Sequence, residues 1–225
     1  MSIIGKPQPV VHERERLERG QSAMTIVCLG WRSLIWDQYR AAELPTRGGW
    51  HEDGPFLPIE FARVSNNERL TLVITPGAKS VPVLWAELDV DSLDEAIRAL
   101  CKREGEKSGK SISRKNIGQC PDSHGGLGAS EIEKWRAGKR LEHVIWTALP
   151  PRSRENDDGD LMKSRVPSCS EAVRHLDRLC DESAARAANY IRKTPCQIQT
   201  EYRAALTAAL DRRDAHSWTA RGAHA

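Results

Sequence analysis

Residues able to do chemistry gather at two places far apart in the chain. The first is GWRSLIWD (30–37), directly after the apolar run MTIVCL (24–29). An arginine and a serine interrupt what otherwise reads as buried strand. Backbone N–H groups at such a turn, together with Ser33, would form a concavity that receives a carboxylate. The same residues also read as a plain strand-to-helix connection, with Trp31, Leu34, Ile35 and Trp36 as core anchors and Ser33 as a helix cap. The second place is Glu104, in the segment ALCKREG. Leu93, Ala96, Ile97, Leu100 and Cys101 recur at helical spacing, and one further turn lands on Glu104. A carboxylate there meets the negative pole of the helix and partial burial, both of which disfavour ionisation and suit it to accept a proton near neutral pH. A solvated helix end is the plain alternative. Glu60 is a further inward candidate, expected to be solvated or paired with an arginine.

The elements that must position these groups follow from patterning. MTIVCL is short, apolar and β-branched, as a buried strand is. FLPIEFARV sets Leu57, Ile59 and Phe61 on one face and Glu60, Ala62 and Val64 on the other; Asn-Asn then turns it into LTLVI, a hairpin. VPVLWAEL (81–88) and EHVIWTAL (142–149) read as further strands. Helix 93–103 is marked at both ends, by Ser92 and Glu95 in capping-box spacing and by Gly105. Later, Val173, Leu176, Cys180, Ala184, Ala187 and Ile191 form one helical stripe, and a second helix begins after Thr200 with Tyr202, Leu206, Ala209 and Leu210 inward. PPRSRENDDGDLMKSRVP is a proline-bounded charged loop, mobile or a lid. Residues 1–22 read as a flexible arm, 23–214 as one domain and 215–225 as a tail. Closely spaced strands followed by helices give the α+β class: a small mixed β-barrel with flanking helices.

Other classes are weaker. Among 225 residues, 34 basic side chains stand against 31 acidic ones, so nucleic acid is an improbable partner; the one local basic excess is CKREGEKSGKSISRK. Six cysteines without a C-x-x-C pair suggest reduced thiols and a cytoplasmic setting. The seven histidines lack metal spacing, so no metal is expected. SHGGLGAS lacks the lysine of a phosphate loop, and no G-x-S-x-G elbow occurs. Neither a signal peptide nor a membrane span is read. No oligomeric state follows from the sequence.

The order of these pieces resembles the γ-glutamylcyclotransferase-like superfamily, including its ChaC-type branch. There an apolar strand runs into a Y-G-S-L loop, strands follow, and a glutamate ends a short helix. LGWRSLIW is similar to the loop, ALCKREG to the glutamate segment, and AANYIRKTPCQIQTEYRAAL loosely to the helical end of ChaC-type members. The resemblance implies a γ-glutamyl compound cyclised to pyroglutamate with release of an amine, without any cofactor. It implies that Gly30 and Ser33 bind substrate, that Leu34 supports the loop and that Glu104 is the general base. Trp31 stands at the family tyrosine and Arg32 at the glycine before serine, where Arg32 is expected to offer a bidentate contact to a substrate carboxylate. The alternative is a small-ligand or protein-binding module on the same fold that does no catalysis.

Overall fold

The computed structural model of the chain describes residues 24–105, 117–121, 126–154 and 160–222. The expected arm at 1–22, most of the basic stretch (106–115), the first part of SHGGLGAS (123–125) and the last residues of the tail (223–225) lie outside them.

Strand β1 (Ile26–Gly30) organises the first sheet. Its neighbours are β6 (Leu84–Leu88), antiparallel with Cys28 opposite Ala86, and β8 (His143–Thr147), parallel with Val27 opposite Val144. Flanked on both edges, β1 is buried along its length, which is why its sequence is apolar at every position before Gly30. β2 (Thr46–His51) and β7 (Ile117–Cys120) complete the order β2-β6-β1-β8-β7. The two faces of β1 serve two cores. Val27 and Leu29 join a large cluster with the second sheet and the C-terminal helices. Ile26 and Cys28 face a smaller cluster closed by α1 (Leu93–Glu104) through Ala96, Ile97 and Leu100. Ile97 and Leu100 are each at most 2% exposed, and full burial of such a side chain contributes about 1.5–3 kcal/mol. Gly118 lies directly across from fully buried Trp146, and a Cβ at that position would come within 2.1 Å of the indole.

The second sheet is built on the expected hairpin, β3 (Phe56–Val64) with β4 (Leu70–Ile74), antiparallel with Ile59 opposite Ile74. β5 (Ser80–Pro82) continues along β3 beyond the 75–79 turn, pairing Ser80 with Pro58. β9 (Arg152–Arg154) and β10 (Leu161–Lys163) extend the other end of the order β10-β9-β3-β4. Helices α2 (Ala129–Lys139), α3 (Cys169–Arg178), α4 (Asp181–Lys193) and α5 (Arg203–Gly222) complete the fold.

The chain is therefore α+β with two mixed sheets, but no ladder among the described residues joins one sheet to the other, so the expected barrel closure is not formed there. VPVLWAEL is two strands: the chain leaves the second sheet at Pro82 and enters the first at Leu84. The single stripe from Val173 to Ile191 is two helices. Leu179 and Cys180 are extended, and Arg213 of α5 donates to the carbonyls of Leu176, Asp177 and Leu179 at the break. Parts of the charged loop at 151–167 are strand, β10 pairing antiparallel with β9. The last helix runs on to Gly222, past the boundary set at 214. β7 and α2 were not expected. α2 buries only Ile132 and follows Gly128 at φ +85, so it has almost no apolar periodicity to read.

Candidate functional site

The two chemical segments meet. The loop at 31–37 is a pair of overlapping turns, Ile35 N–H to Arg32 C=O at 3.1 Å and Asp37 N–H to Ser33 C=O at 2.9 Å, so the helix cap read for Ser33 has no helix to cap. Its side chains divide between the cores. Trp31, Ile35 and Trp36 pack on the large cluster and Leu34 on the small one, so the loop is pinned from both faces of the first sheet. Gly30 is required by contact rather than by dihedral: a Cβ there would lie 2.4 Å from the Trp50 ring.

α1 aims its last turn at this loop. Ser92 caps it, accepting from Glu95 N–H at 3.2 Å, while Glu95 accepts from Asp91 N–H at 2.9 Å, one residue before the position a strict capping box would use. At the other end, Arg32 Nη2 donates to Glu104 Oε2, both side chains being 9% exposed. Arg32 thus engages the expected base. A guanidinium and a carboxylate this far from water hold each other strongly, because neither has bulk solvent as a substitute partner.

Two further arginines fix the join. Arg103, 3% exposed, donates to the carbonyls of Ser33 at 3.0 Å and Asp37 at 3.3 Å. Burial lowers its pKa, against the pull of Glu104 and Asp37. Arg40, in the 3-10 helix Gln38–Glu43, donates to the carbonyls of Lys102 and Gly105 at the end of α1, the first of which also accepts from the Gly105 N–H at 3.2 Å. Sequence reading missed both. Arg103 had a usable signal, since it follows Ala96 and Leu100 at i+7 and i+3, but the same stripe also admits Glu104, and the carboxylate drew the attention.

Tyr190 of α4 was also missed. It is 3% exposed, lies edge-on to Trp36 at 5.4 Å and Phe61 at 6.5 Å, and accepts from Leu72 N–H at 3.3 Å. Burial pushes its phenol up to about 12, with Arg32 opposing and Glu104 adding to the rise. Cys28 on β1 lies in the same field; burial first and Glu104 second push its thiol well above the usual value. A thiol so held is no nucleophile at neutral pH. Trp31, 2% exposed, has an Nε1–H without a hydrogen-bond partner among the described residues, a donor left over for an acceptor from outside.

Glu60 lies apart from this join and departs from its expected fate. It is 2% exposed and accepts from Phe61 N–H at 2.7 Å and Tyr202 N–H at 3.2 Å, with neither solvent nor arginine beside those oxygens. Burial raises its pKa while these N–H groups oppose the rise. Its role is to tie β3 to the turn before α5. Where Glu60 is expected to be solvated, its face of β3 is covered by that C-terminal segment.

Among the described residues no group of three or more His, Cys, Asp or Glu is placed to hold a metal ion, and no helix is long and apolar enough to cross a membrane. All six cysteines are free thiols. No protein-family model matches the chain, and neither a curated protein nor a solved structure does.

Proposed function

We propose that the 30–34 loop and Glu104 form a site for a small γ-glutamyl compound, which the protein cyclises to pyroglutamate with release of an amine. The observation that carries the reading is the ion pair itself, which brings the loop arginine and the helix-end glutamate together across 72 positions of sequence. A γ-glutamyl head is a zwitterion, with an α-carboxylate and an α-ammonium on one carbon. Its carboxylate takes the Arg32 fork and its ammonium faces Glu104, so each partner of the buried pair exchanges one opposite charge for another and neither is left unpaired. Trp31 Nε1–H and Ser33 line the same loop and offer donors to the remainder of the ligand.

The exchange also frees the base. Released from Arg32, Glu104 accepts a proton from the α-ammonium; the amine nitrogen attacks the γ-carbonyl, a C–N bond forms and a five-membered lactam closes. The bond to the departing amine then breaks as Glu104 returns that proton to it; the ring nitrogen gives up its surplus proton through Glu104 to the same amine, so a neutral lactam and an ammonium leave. Atoms balance without water, and the intramolecular attack gains its rate from proximity. In this reading the two sheets are an opened version of the family barrel, and the protein is a cytoplasmic enzyme that needs neither metal nor organic cofactor.

The second reading is a binding module without catalysis. It is favoured by the closed state of the pair, whose two side chains are equally withdrawn from solvent. A mass-spectrometric screen for lactam over a panel of γ-glutamyl amino acids and amines separates the two. Turnover by the wild type that is lost in a folded Glu104→Gln variant supports the enzyme; turnover that survives moves the base elsewhere, and absence of any lactam favours the module.

A further inference from the structure

Two buried donors beside the Arg32–Glu104 pair are left over by the fold. Trp31 opens the 31–37 loop and is 2% exposed, yet its Nε1–H has no hydrogen-bond partner among the described residues. Tyr190 is 3% exposed; its oxygen accepts from Leu72 N–H at 3.3 Å, but among the described residues nothing accepts the phenolic hydrogen. Withdrawing an N–H or O–H from water without giving it an acceptor is a cost that folding alone does not recover. Both rings belong to the large cluster, on the Leu29 face of β1.

Contacts fix where these donors stand. Trp31 directly precedes Arg32. Tyr190 meets the other end of the loop, its ring edge-on to Trp36 with centroids 5.4 Å apart, while Phe61 holds it from the second sheet at 6.5 Å. The charges of Arg32 and Glu104 both reach the phenol. The Arg69 guanidinium lies over the Tyr190 ring, 5.6 Å from its centroid, where its positive charge makes the O–H a better donor. Burial nevertheless keeps the phenol protonated through the neutral range, so it offers a hydrogen bond and retains its proton.

We infer that Trp31 Nε1–H and Tyr190 Oη–H receive the γ-carbonyl oxygen and hold the negative charge that forms on it during ring closure, an inference that rests on the γ-glutamyl reading of the Arg32–Glu104 pair. As the amine lone pair forms the C–N bond, the π pair of the carbonyl moves to oxygen. When that pair returns, C=O is restored and the bond to the departing amine breaks, its electrons leaving with the amine, which takes its proton from Glu104. The indole and the phenol lose no proton. Packed and withdrawn from water, they need no reorganisation as the charge develops, which is where such donors are strongest. Roles divide accordingly: Arg32 holds an α-carboxylate that does not change, whereas Trp31 and Tyr190 act on charge that exists only in and around the transition state.

The test compares wild type with Tyr190→Phe and Trp31→Phe, and with Tyr202→Phe as a control whose hydroxyl donates to Pro167 C=O at 2.9 Å beside Glu60. Folding of each variant is checked by its urea midpoint. Lactam formation from a γ-glutamyl amide gives kcat and KM, and calorimetry measures binding of 2-amino-4-(methylphosphinyl)butanoate, which carries the complete head and a tetrahedral anionic oxygen at the γ position. Tyr190→Phe, which keeps the ring and its packing, is expected to lower kcat about a hundredfold with KM within about twofold, and to weaken the phosphinate at least about tenfold. Trp31→Phe should act in the same direction, and Tyr202→Phe should change neither. A folded Tyr190→Phe with wild-type kcat and phosphinate binding overturns the inference and leaves the γ-glutamyl reading standing. A raised KM at unchanged kcat also overturns it, since the hydroxyl would then bind substrate and transition state alike. Absence of lactam from the wild type overturns the catalytic reading and the inference together.

Discussion

Arginine meets glutamate in two settings that differ chiefly in their access to water. Arg32 and Glu104 are each 9% exposed in their side chains, at the seam between a turn and a helix end, and Arg103 and Arg40 bind the backbone carbonyls around them. Arg165 and Glu171 are 24% and 27% exposed, on the wall of a cleft between β9, the turn after β3 and α3. The first pair is balanced and sealed, so only a ligand that supplies both charges can open it without leaving an ion stranded. The second is more open to water, so solvent screens it and can stand in for either partner. Similar side chains are a lock in one place and a screened surface contact in the other.

The largest effect separating them is the loss of one partner. Arg32→Ala leaves the Glu104 carboxylate buried without its guanidinium and is expected to cost about 3–5 kcal/mol, read as a lower midpoint in urea at unchanged slope. Replacing both residues by apolar ones of similar size, Arg32→Met with Glu104→Leu, should recover most of that loss, since no stranded charge remains.

The cleft pair should cost less. Glu171 accepts from Ser168 N–H at 2.7 Å while Ser168 Oγ accepts from Glu171 N–H at 3.3 Å, so the residue caps α3 as well as facing Arg165. Glu171→Ala is expected to lose about 1–2 kcal/mol. This loss depends on pH. Arg165 first and the Ser168 N–H second hold the Glu171 carboxyl down to about 2, against about 4.3 in an unfolded chain. Its contribution is complete above the unfolded value and fades as pH falls toward the folded one, so wild type and Glu171→Ala should converge in stability over that acid window. Comparable losses at pH 3 and pH 7 would show that the charge contributes nothing.

At the bottom of the scale is Arg186–Glu182, an i,i+4 pair on α4 whose glutamate is 83% exposed. Glu182→Ala should change stability by less than about 0.5 kcal/mol, and a larger loss would contradict the view that burial sets the strength of these pairs.

What the sequence disclosed tracks how local each signal is. The hairpin at 57–74 and helix 93–104 are marked by neighbouring residues, the Asn-Asn turn and the Ser92 and Gly105 caps, and both are present. Pro82 to Leu84 reads as unbroken strand because a change of sheet needs no change of residue type. The break at Leu179 is equally silent, having neither proline nor glycine, and is stabilised by Arg213 from a distant helix. At the candidate site, periodicity placed Glu104 on the face toward the loop, yet the partner it would find there was out of reach. Arg32 reads as a ligand contact alone, and its bond to Glu104 is not foreseen, because long-range pairing leaves no mark in local spacing. Glu60 shows the same limit: the strict alternation read through it is interrupted by a register shift between Phe61 and Arg63, after which Val64 joins the cluster of Leu57, Ile59 and Phe61, and the covering of the Glu60 face by the turn before α5 leaves no local mark.

The central claim is that a zwitterionic head opens the Arg32–Glu104 pair, and it is tested most directly by calorimetric binding of three ligands to the wild-type chain. These are a γ-glutamyl amide, the same compound without its α-amino group, and the same compound without its α-carboxylate. The complete head is expected to bind, with each truncated analogue at least tenfold weaker, because each strands one partner of the pair. Equal binding of all three, or none at all, would contradict the account.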